Sequence, residues 1–137
     1  MDRDVVAEKL ESLRRCLDRI EEKRPDALKA LQTNIDLQDI ITLNLTRAVQ
    51  LCVDIGANLL AGADSAPPAT MGETFEKLAE LGIIDNELKT IMKKAVGFRN
   101  VAVHGYDKID FAIVFSIIHH HLPDFKHYAQ AVVAALS

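Results

Sequence analysis

The residues best suited to chemistry lie together between Leu88 and Tyr106. This segment contains four basic side chains and no acidic one, so it carries a charge of +4 while the rest of the chain carries −8 (12 Lys and Arg against 20 Asp and Glu). The basic residues are Lys89, Lys93, Lys94 and Arg99. Such a cluster is typical of a solvated helix face, because the helix dipole favours cations near a C-terminus. It is also the kind of local patch that binds an anion.

Arg99 has an unusual position on the predicted helix. At about 100° per residue, two apolar stripes lie roughly 100° apart, and Arg99 falls between them. One stripe is Ile91, Ala95, Phe98 and Ala102, and the other is Met92, Val96 and Val103. A charge flanked by apolar residues is costly unless it is paired. We therefore expect Arg99 to hold either a carboxylate, for which Asp54 is a candidate, or a phosphate.

Three polar residues accompany Arg99 at the predicted helix end. Asn100 and His104 are four residues apart, so their side chains are neighbours on the helix. The asparagine can orient the imidazole for acid–base chemistry, although a histidine that only interacts with the helix dipole would show the same spacing. Tyr106 follows Gly105, where we expect its ring to be reachable; a half-buried packing tyrosine is the alternative.

The elements that hold these residues are expected to be helices throughout. Apolar residues recur at three- and four-residue spacing in segments that begin near Val6, Asn34, Thr70, Asp85 and Asp107 or Asp110. Pro25 sets off a short piece between the first two segments, and Pro123 is expected to kink the last helix. The prediction is an all-α fold: a single up-and-down bundle of four to five helices that forms one domain, residues 1–137.

Composition limits the classes of protein to which the chain can belong. Its 137 residues are 49% hydrophobic, too apolar for a disordered chain. We expect no transmembrane helix, because no run of about 18 apolar residues is present, and the charged N-terminus does not resemble a signal peptide. Cys16 and Cys52 are expected to be free thiols in the cytoplasm. Because the net charge is −4, binding to nucleic acid would depend on a local patch.

The segment Arg99-Asn100-Val101-Ala102-Val103-His104-Gly105-Tyr106 resembles the R-N-x3-H-x-Y motif of HEPN domains. More specifically, it is similar to HepT-type toxins that are encoded beside a minimal nucleotidyltransferase (MNT) antitoxin. The resemblance covers nearly the whole chain: residues 45–56, 74–78, 82–84 and 97–100 match in order. An Arg and a His at this spacing are common by chance, but the added Asn, Tyr and upstream helix make the match specific.

This resemblance implies a metal-independent endoribonuclease that acts as the toxin of a type VII-like toxin–antitoxin pair. In such proteins two protomers pair so that their motif helices face one cleft. His104 would act as general acid or base on the RNA 2′-hydroxyl and the leaving oxygen, Arg99 would bind the scissile phosphate, and Asn100 would support the site. Pairing also answers a geometric difficulty, since residues five apart lie about 140° around a helix.

The resemblance also gives Tyr106 a role, as the acceptor of AMP that the antitoxin transfers from ATP. The added charge and bulk would then compete with RNA phosphate at Arg99. ATP and Mg²⁺ would be used by the antitoxin, so no cofactor is expected on this chain. The expected partners are RNA, the MNT antitoxin and a second copy of the chain, with no membrane. The alternative is a non-catalytic helical module that docks on a nucleotidyltransferase; the presence of both Arg99 and His104 favours catalysis.

Two further features lead to expectations of their own. His119, His120 and His121 are consecutive, so on a helix they point about 100° apart and cannot close around one metal ion; a contact between His120 and Asp124 is expected instead. The stripe of Met92, Val96 and Val103 has no evident use within a small bundle. We therefore expect it to form a homodimer interface.

Overall fold

The computed structural model describes all residues, 1–137, and contains seven α-helices and no strand. In chain order the helices are α1 (Arg3–Lys23), α2 (Leu28–Thr33), α3 (Ile35–Gly62), α4 (Met71–Glu80), α5 (Asn86–His104), α6 (Phe111–His120) and α7 (Leu122–Leu136). A single 3₁₀ turn, Tyr106–Lys108, connects α5 to α6. The all-α class predicted from the sequence is confirmed.

Side-chain caps explain where most of the helices begin. The residues Asn34, Thr70, Asp85 and Asp110 each precede a helix, and each side chain accepts a hydrogen bond from a backbone N–H in the first turn. Such a bond satisfies one of the N–H groups that have no partner within the helix. The predicted starts of α3, α4 and α5 are confirmed, and Asp110 rather than Asp107 begins α6.

The number of helices exceeds the four to five predicted, because the chain is divided near two prolines. After Pro25, the short α2 is a separate helix that ends against the cap of α3. The last predicted helix is two helices: α6 ends at His120, and α7 begins at Leu122 with Pro123 in its first turn. A proline in a first turn has no intrahelical hydrogen bond to lose, and its fixed φ suits the helix. Pro123 therefore begins a helix and does not kink one.

The core forms around α3, which packs against α1, α2, α4 and α5. Gly56 allows the closest approach to this helix, since a Cβ there would lie 2.6 Å from Thr74 Cγ2 and 3.1 Å from Tyr128 Oη. The Tyr128 hydroxyl donates a 2.8 Å hydrogen bond to the backbone carbonyl of Cys52. The edge of its ring meets the ring of Phe75, with centroids 5.6 Å apart. These contacts fix α4 and α7 against α3.

The helix α3 has the length and the apolar composition of a helix that could cross a membrane, with a mean hydropathy of 1.3 in its most apolar window. The expectation of no such helix relied on unbroken apolar runs, which is a stricter criterion. Half of that window is buried inside the protein. A core helix that is covered on several sides has the same composition, so packing accounts for the apolar character of α3.

Tyr128→Phe is expected to lower the free energy of unfolding by about 1 kcal/mol, because the hydrogen bond to the Cys52 carbonyl is lost while the ring packing is kept. Urea denaturation followed by circular dichroism measures this change. Ser116→Ala is the control, since it removes the hydroxyl of an exposed side chain on α6 that forms no hydrogen bond within the chain; its effect should stay within about 0.5 kcal/mol. Equal losses in the two variants would contradict the role assigned to Tyr128.

Candidate active site

The end of α5 sets the position of every residue in the predicted motif. The helix begins at the Asp85 cap and continues without interruption to His104. Gly105 then ends it: its N–H still donates to the Val101 carbonyl at 2.8 Å, but its φ of −152° and ψ of 56° are not helical. The chain therefore changes direction directly before Tyr106, which begins the 3₁₀ turn.

Arg99 is half-buried and has no carboxylate partner. Its Nε is buried and forms no hydrogen bond. Its Nη1 donates to Asn100 Oδ1 at 3.3 Å, at the long end of the normal range. A buried donor without an acceptor costs about 1–3 kcal/mol, and no acceptor within the chain offsets that cost. The guanidinium is thus partly buried and keeps N–H donors that have no partner within the chain.

Asp54 does not pair with Arg99, so the predicted partnership is wrong. The Asp54 carboxylate accepts a 2.9 Å hydrogen bond from Gln50 Nε2 on the same helix. It also lies 3.7 Å from Lys9 Nζ on α1. The four-residue spacing of Gln50 and Asp54 favours the local contact, and the α1–α3 packing brings the lysine close. Asp54 therefore belongs to the α1–α3 surface.

Asn100 and His104 are both exposed on α5, and the structure gives no hydrogen bond between them. The hydrogen bond that Asn100 does form is with Arg99, so its amide orients the guanidinium and not the imidazole. His104 is the last residue of α5. Arg99 is half-buried while His104 is exposed, and residues five apart lie about 140° around a helix, so the two side chains diverge within one chain.

The hydroxyl of Tyr106 contacts a residue that the sequence analysis did not identify. It donates a 2.5 Å hydrogen bond to Oδ1 of Asp39, on α3. Burial, together with the hydrogen bond and negative charge of Asp39, raises the pKa of Tyr106 to about 12, and the nearby Thr42 hydroxyl opposes this weakly. Asp39 precedes Tyr106 by 67 residues. Only the packing of α3 beside the end of α5 brings them together.

The apolar stripe predicted to form the dimer interface, Met92, Val96 and Val103, does not form one continuous surface. The predicted location of the interface is therefore wrong. Met92 and Val96 are 1% and 7% exposed and belong to the core. Val103, near the helix end, remains 48% exposed. The apolar surface that does stay open lies between α5 and α6, in a groove of about 540 Å³. Its lining includes Phe98, Val101 and Ile113.

The three consecutive histidines point in different directions. The Nε2 of His119 lies 2.9 Å from the Pro25 carbonyl oxygen, to which it donates. The partner of Asp124 is His121, at 2.9 Å, and not His120 as the sequence analysis predicted. His121 lies just beyond the end of α6, which changes the spacing that a continuous helix would give. No group of three or more His, Cys, Asp or Glu side chains in the chain is arranged to hold a metal ion.

Comparison with known proteins finds relatives over most of the chain. A family model described as "Ribonuclease HepT-like" matches residues 11–132. The mRNA nuclease HepT of Shewanella oneidensis is 32% identical over 131 residues, which are 96% of this chain and 98% of that protein.

Solved structures agree in fold. A tri-AMPylated Shewanella oneidensis HEPN toxin in complex with an MNT antitoxin has a TM-score of 0.91 at 31% identity, covering 98% of this chain and 99% of that one. The Bacillus subtilis protein YutE, a cytosolic protein of unknown function, has a TM-score of 0.85 at 15% identity, with 98% and 90% covered; this second likeness concerns the fold alone. The family match and the Arg99–Tyr106 motif agree, and the chain belongs to the HepT-like ribonuclease family of HEPN proteins.

Proposed function

We propose that this chain is the toxin of a toxin–antitoxin pair, a metal-independent endoribonuclease that is neutralised when a nucleotidyltransferase antitoxin transfers AMP to Tyr106. Two comparisons support this proposal: a Shewanella oneidensis relative is named an mRNA nuclease, and a solved structure from the same organism is a tri-AMPylated HEPN toxin in complex with an MNT antitoxin. Residues 1–137 form the single domain that acts in this way. It works in the cytoplasm, where its two buried cysteines remain reduced.

The observation on which the proposal mainly rests is that Arg99 has no acidic partner within the chain. A half-buried guanidinium with an unpartnered Nε and no carboxylate nearby is suited to binding an anion. Arginine binds phosphate with two parallel N–H donors, and such charge-assisted bonds are about twice as strong as neutral ones. The scissile phosphate of RNA supplies the matching oxygens. Because negative charge grows on this phosphate during cleavage, its contact with Arg99 stabilises the transition state.

The imidazole of His104 moves the protons in this mechanism. One His104 accepts the proton of the RNA 2′-hydroxyl, whose oxygen attacks the adjacent phosphorus. The bond from phosphorus to the 5′-oxygen breaks, and a second His104 donates a proton to that leaving oxygen. Asn100 holds the Arg99 guanidinium through its side-chain oxygen. Because the nucleophile is the 2′-hydroxyl, DNA is not a substrate.

A second copy of the chain completes this site. Arg99 and His104 diverge within one chain, and a two-fold dimer supplies a second copy of each residue to a shared cleft. The face that remains available for pairing is the apolar groove between α5 and α6, beside the motif. Its rim residues Val101 and Ile113 are 45% and 56% exposed. Burying them against a second copy removes apolar surface from water.

Cleavage is tested with purified protein, single-stranded RNA and EDTA. Arg99→Ala and His104→Ala are each expected to reduce the rate at least about 100-fold, because one loses the phosphate contact and the other the proton transfer. Products should carry 2′,3′-cyclic phosphate ends. RNA with a 2′-deoxy nucleotide at the cleaved position should not be cut, because it lacks the attacking hydroxyl.

Matched controls for these variants are Arg47→Ala and His120→Ala, which remove exposed residues of the same types outside the motif. Both should cleave at the wild-type rate. A strict need for a divalent ion, or full activity in either motif variant, would rule out the mechanism.

The dimer is tested by light scattering at micromolar concentration, where the mass of two chains is expected. Ile113→Asp should shift the mass towards one chain, because it places a charge in the apolar interface. Val133→Asp is the matched control, since Val133 is 53% exposed on α7, away from the groove. A monomeric wild type, or equal effects of both substitutions, would contradict the proposed interface.

Neutralisation is tested by co-expression with the antitoxin followed by peptide mass spectrometry. AMP is expected on Tyr106, and the modified protein should no longer cleave RNA. Tyr106→Phe should give a nuclease that the antitoxin cannot silence by modification. AMP mapped to Tyr128, which is fully buried, or to another hydroxyl would overturn the assignment.

A further inference from the structure

The contact between Tyr106 and Asp39 has a consequence for how the tyrosine accepts AMP, and this inference rests on the proposed function. A phenol whose pKa is about 12 is almost entirely protonated at neutral pH. A protonated phenol is a poor nucleophile, so its proton has to leave as the oxygen reacts. The structure places one carboxylate in contact with that proton.

We propose that Asp39 orients the Tyr106 hydroxyl and serves as the general base when this hydroxyl accepts an adenylyl group. The substrate on the other side of the reaction is a nucleoside triphosphate held by the antitoxin. Tyr106 Oη attacks the α-phosphorus of that nucleotide, and an O–P bond forms. The bond between the α-phosphorus and the bridging oxygen breaks, and pyrophosphate leaves. The phenol proton passes to Asp39, which releases it to solvent.

The charge of Asp39 affects the two stages of this reaction in opposite directions. Before attack, the carboxylate stabilises the neutral phenol and so keeps Tyr106 protonated. Once the oxygen begins to bond to phosphorus, its proton becomes far more acidic, and a carboxylate at 2.5 Å is then a sufficient base. Because Asp39 is exposed, the proton can pass on to water.

The same contact distinguishes the two tyrosines of the chain. The hydroxyl of Tyr128 donates to a backbone carbonyl in the core. A carbonyl oxygen accepts a hydrogen bond but is too weak a base to take the proton. Tyr106 is instead 43% exposed and faces a carboxylate. The charged residues Asp107 and Lys108 follow Tyr106 in the same 3₁₀ turn, and neither forms a hydrogen bond with its hydroxyl.

The test measures the initial rate of AMP incorporation by intact-protein mass spectrometry, with the antitoxin, ATP and Mg²⁺. Asp39→Asn keeps an oxygen that accepts the hydrogen bond but removes the base, so the rate should fall at least about 100-fold. Asp39→Glu keeps a carboxylate and should recover part of that loss. Asp36→Asn is the matched control, because Asp36 is an exposed acid one turn earlier on α3; it should react at the wild-type rate.

Two further measurements separate a base from a structural contact. Between neutral and moderately alkaline pH, the Asp39→Asn rate should rise about tenfold per pH unit as hydroxide takes over, whereas the wild-type rate should change little. An ultraviolet titration should show a lower pKa for Tyr106 in Asp39→Asn, since the negative charge that raises it is gone. Tyr106→Phe identifies which transition belongs to Tyr106.

The outcomes distinguish this inference from the proposed function. If wild-type Tyr106 receives no AMP, both are wrong. If wild-type Tyr106 is modified and Asp39→Asn is modified as fast, with the same pH profile, the base lies on the antitoxin and only the role of Asp39 is overturned.

Discussion

The position of the site depends on the burial of α3. The apolar side of this helix is covered by α1, α4 and α5, and Gly56 lets Thr74 and Tyr128 approach its backbone. With α3 fixed in this way, Asp39 in its first turns contacts Tyr106 at the end of α5. Further along α3, Leu45 and Val49 line the apolar groove between α5 and α6. Packing of one central helix therefore determines where the guanidinium, the imidazole and the phenol lie.

Within this packing, Arg99 lowers the stability of the fold, because its buried Nε has no hydrogen-bond partner. An unpaired buried donor costs about 1–3 kcal/mol, out of a total stability of about 5–15 kcal/mol for a typical domain. Asp54, which the sequence suggested as the partner of Arg99, instead contacts Lys9 and Gln50. A carboxylate fixed on Arg99 would compete with a phosphate for the same donors. Leaving this arginine without a counter-ion is what a binding site requires and a stability-optimised core would avoid.

The sequence predicts local features of this protein better than long-range ones. The helix starts near Asn34, Thr70 and Asp85 are predictable from the sequence because capping depends on residues within one helical turn. The contact of Asp39 with Tyr106 was missed because no periodicity relates residues so far apart. Helix periodicity assigned Met92 and Val96 to one face correctly, but it does not say whether a face meets the same chain or another. Tertiary packing determines which of the two occurs, and in this chain both residues are buried in the core.

Under the proposed function, the arrangement at the end of α5 would also explain why covalent modification suits the control of this site. Tyr106 follows α5 directly after the turn at Gly105, so in the proposed function an adenylate on its hydroxyl would be tethered at the same end of the helix as the motif. A short tether gives an effective concentration in about the millimolar range without any further binding partner. The tethered phosphate would resemble the RNA phosphate in charge and would therefore compete for the same N–H donors of Arg99. An arginine already paired with an internal carboxylate would bind neither anion, so in this proposal the feature that would allow RNA to bind is the same one that would allow the modification to exclude it.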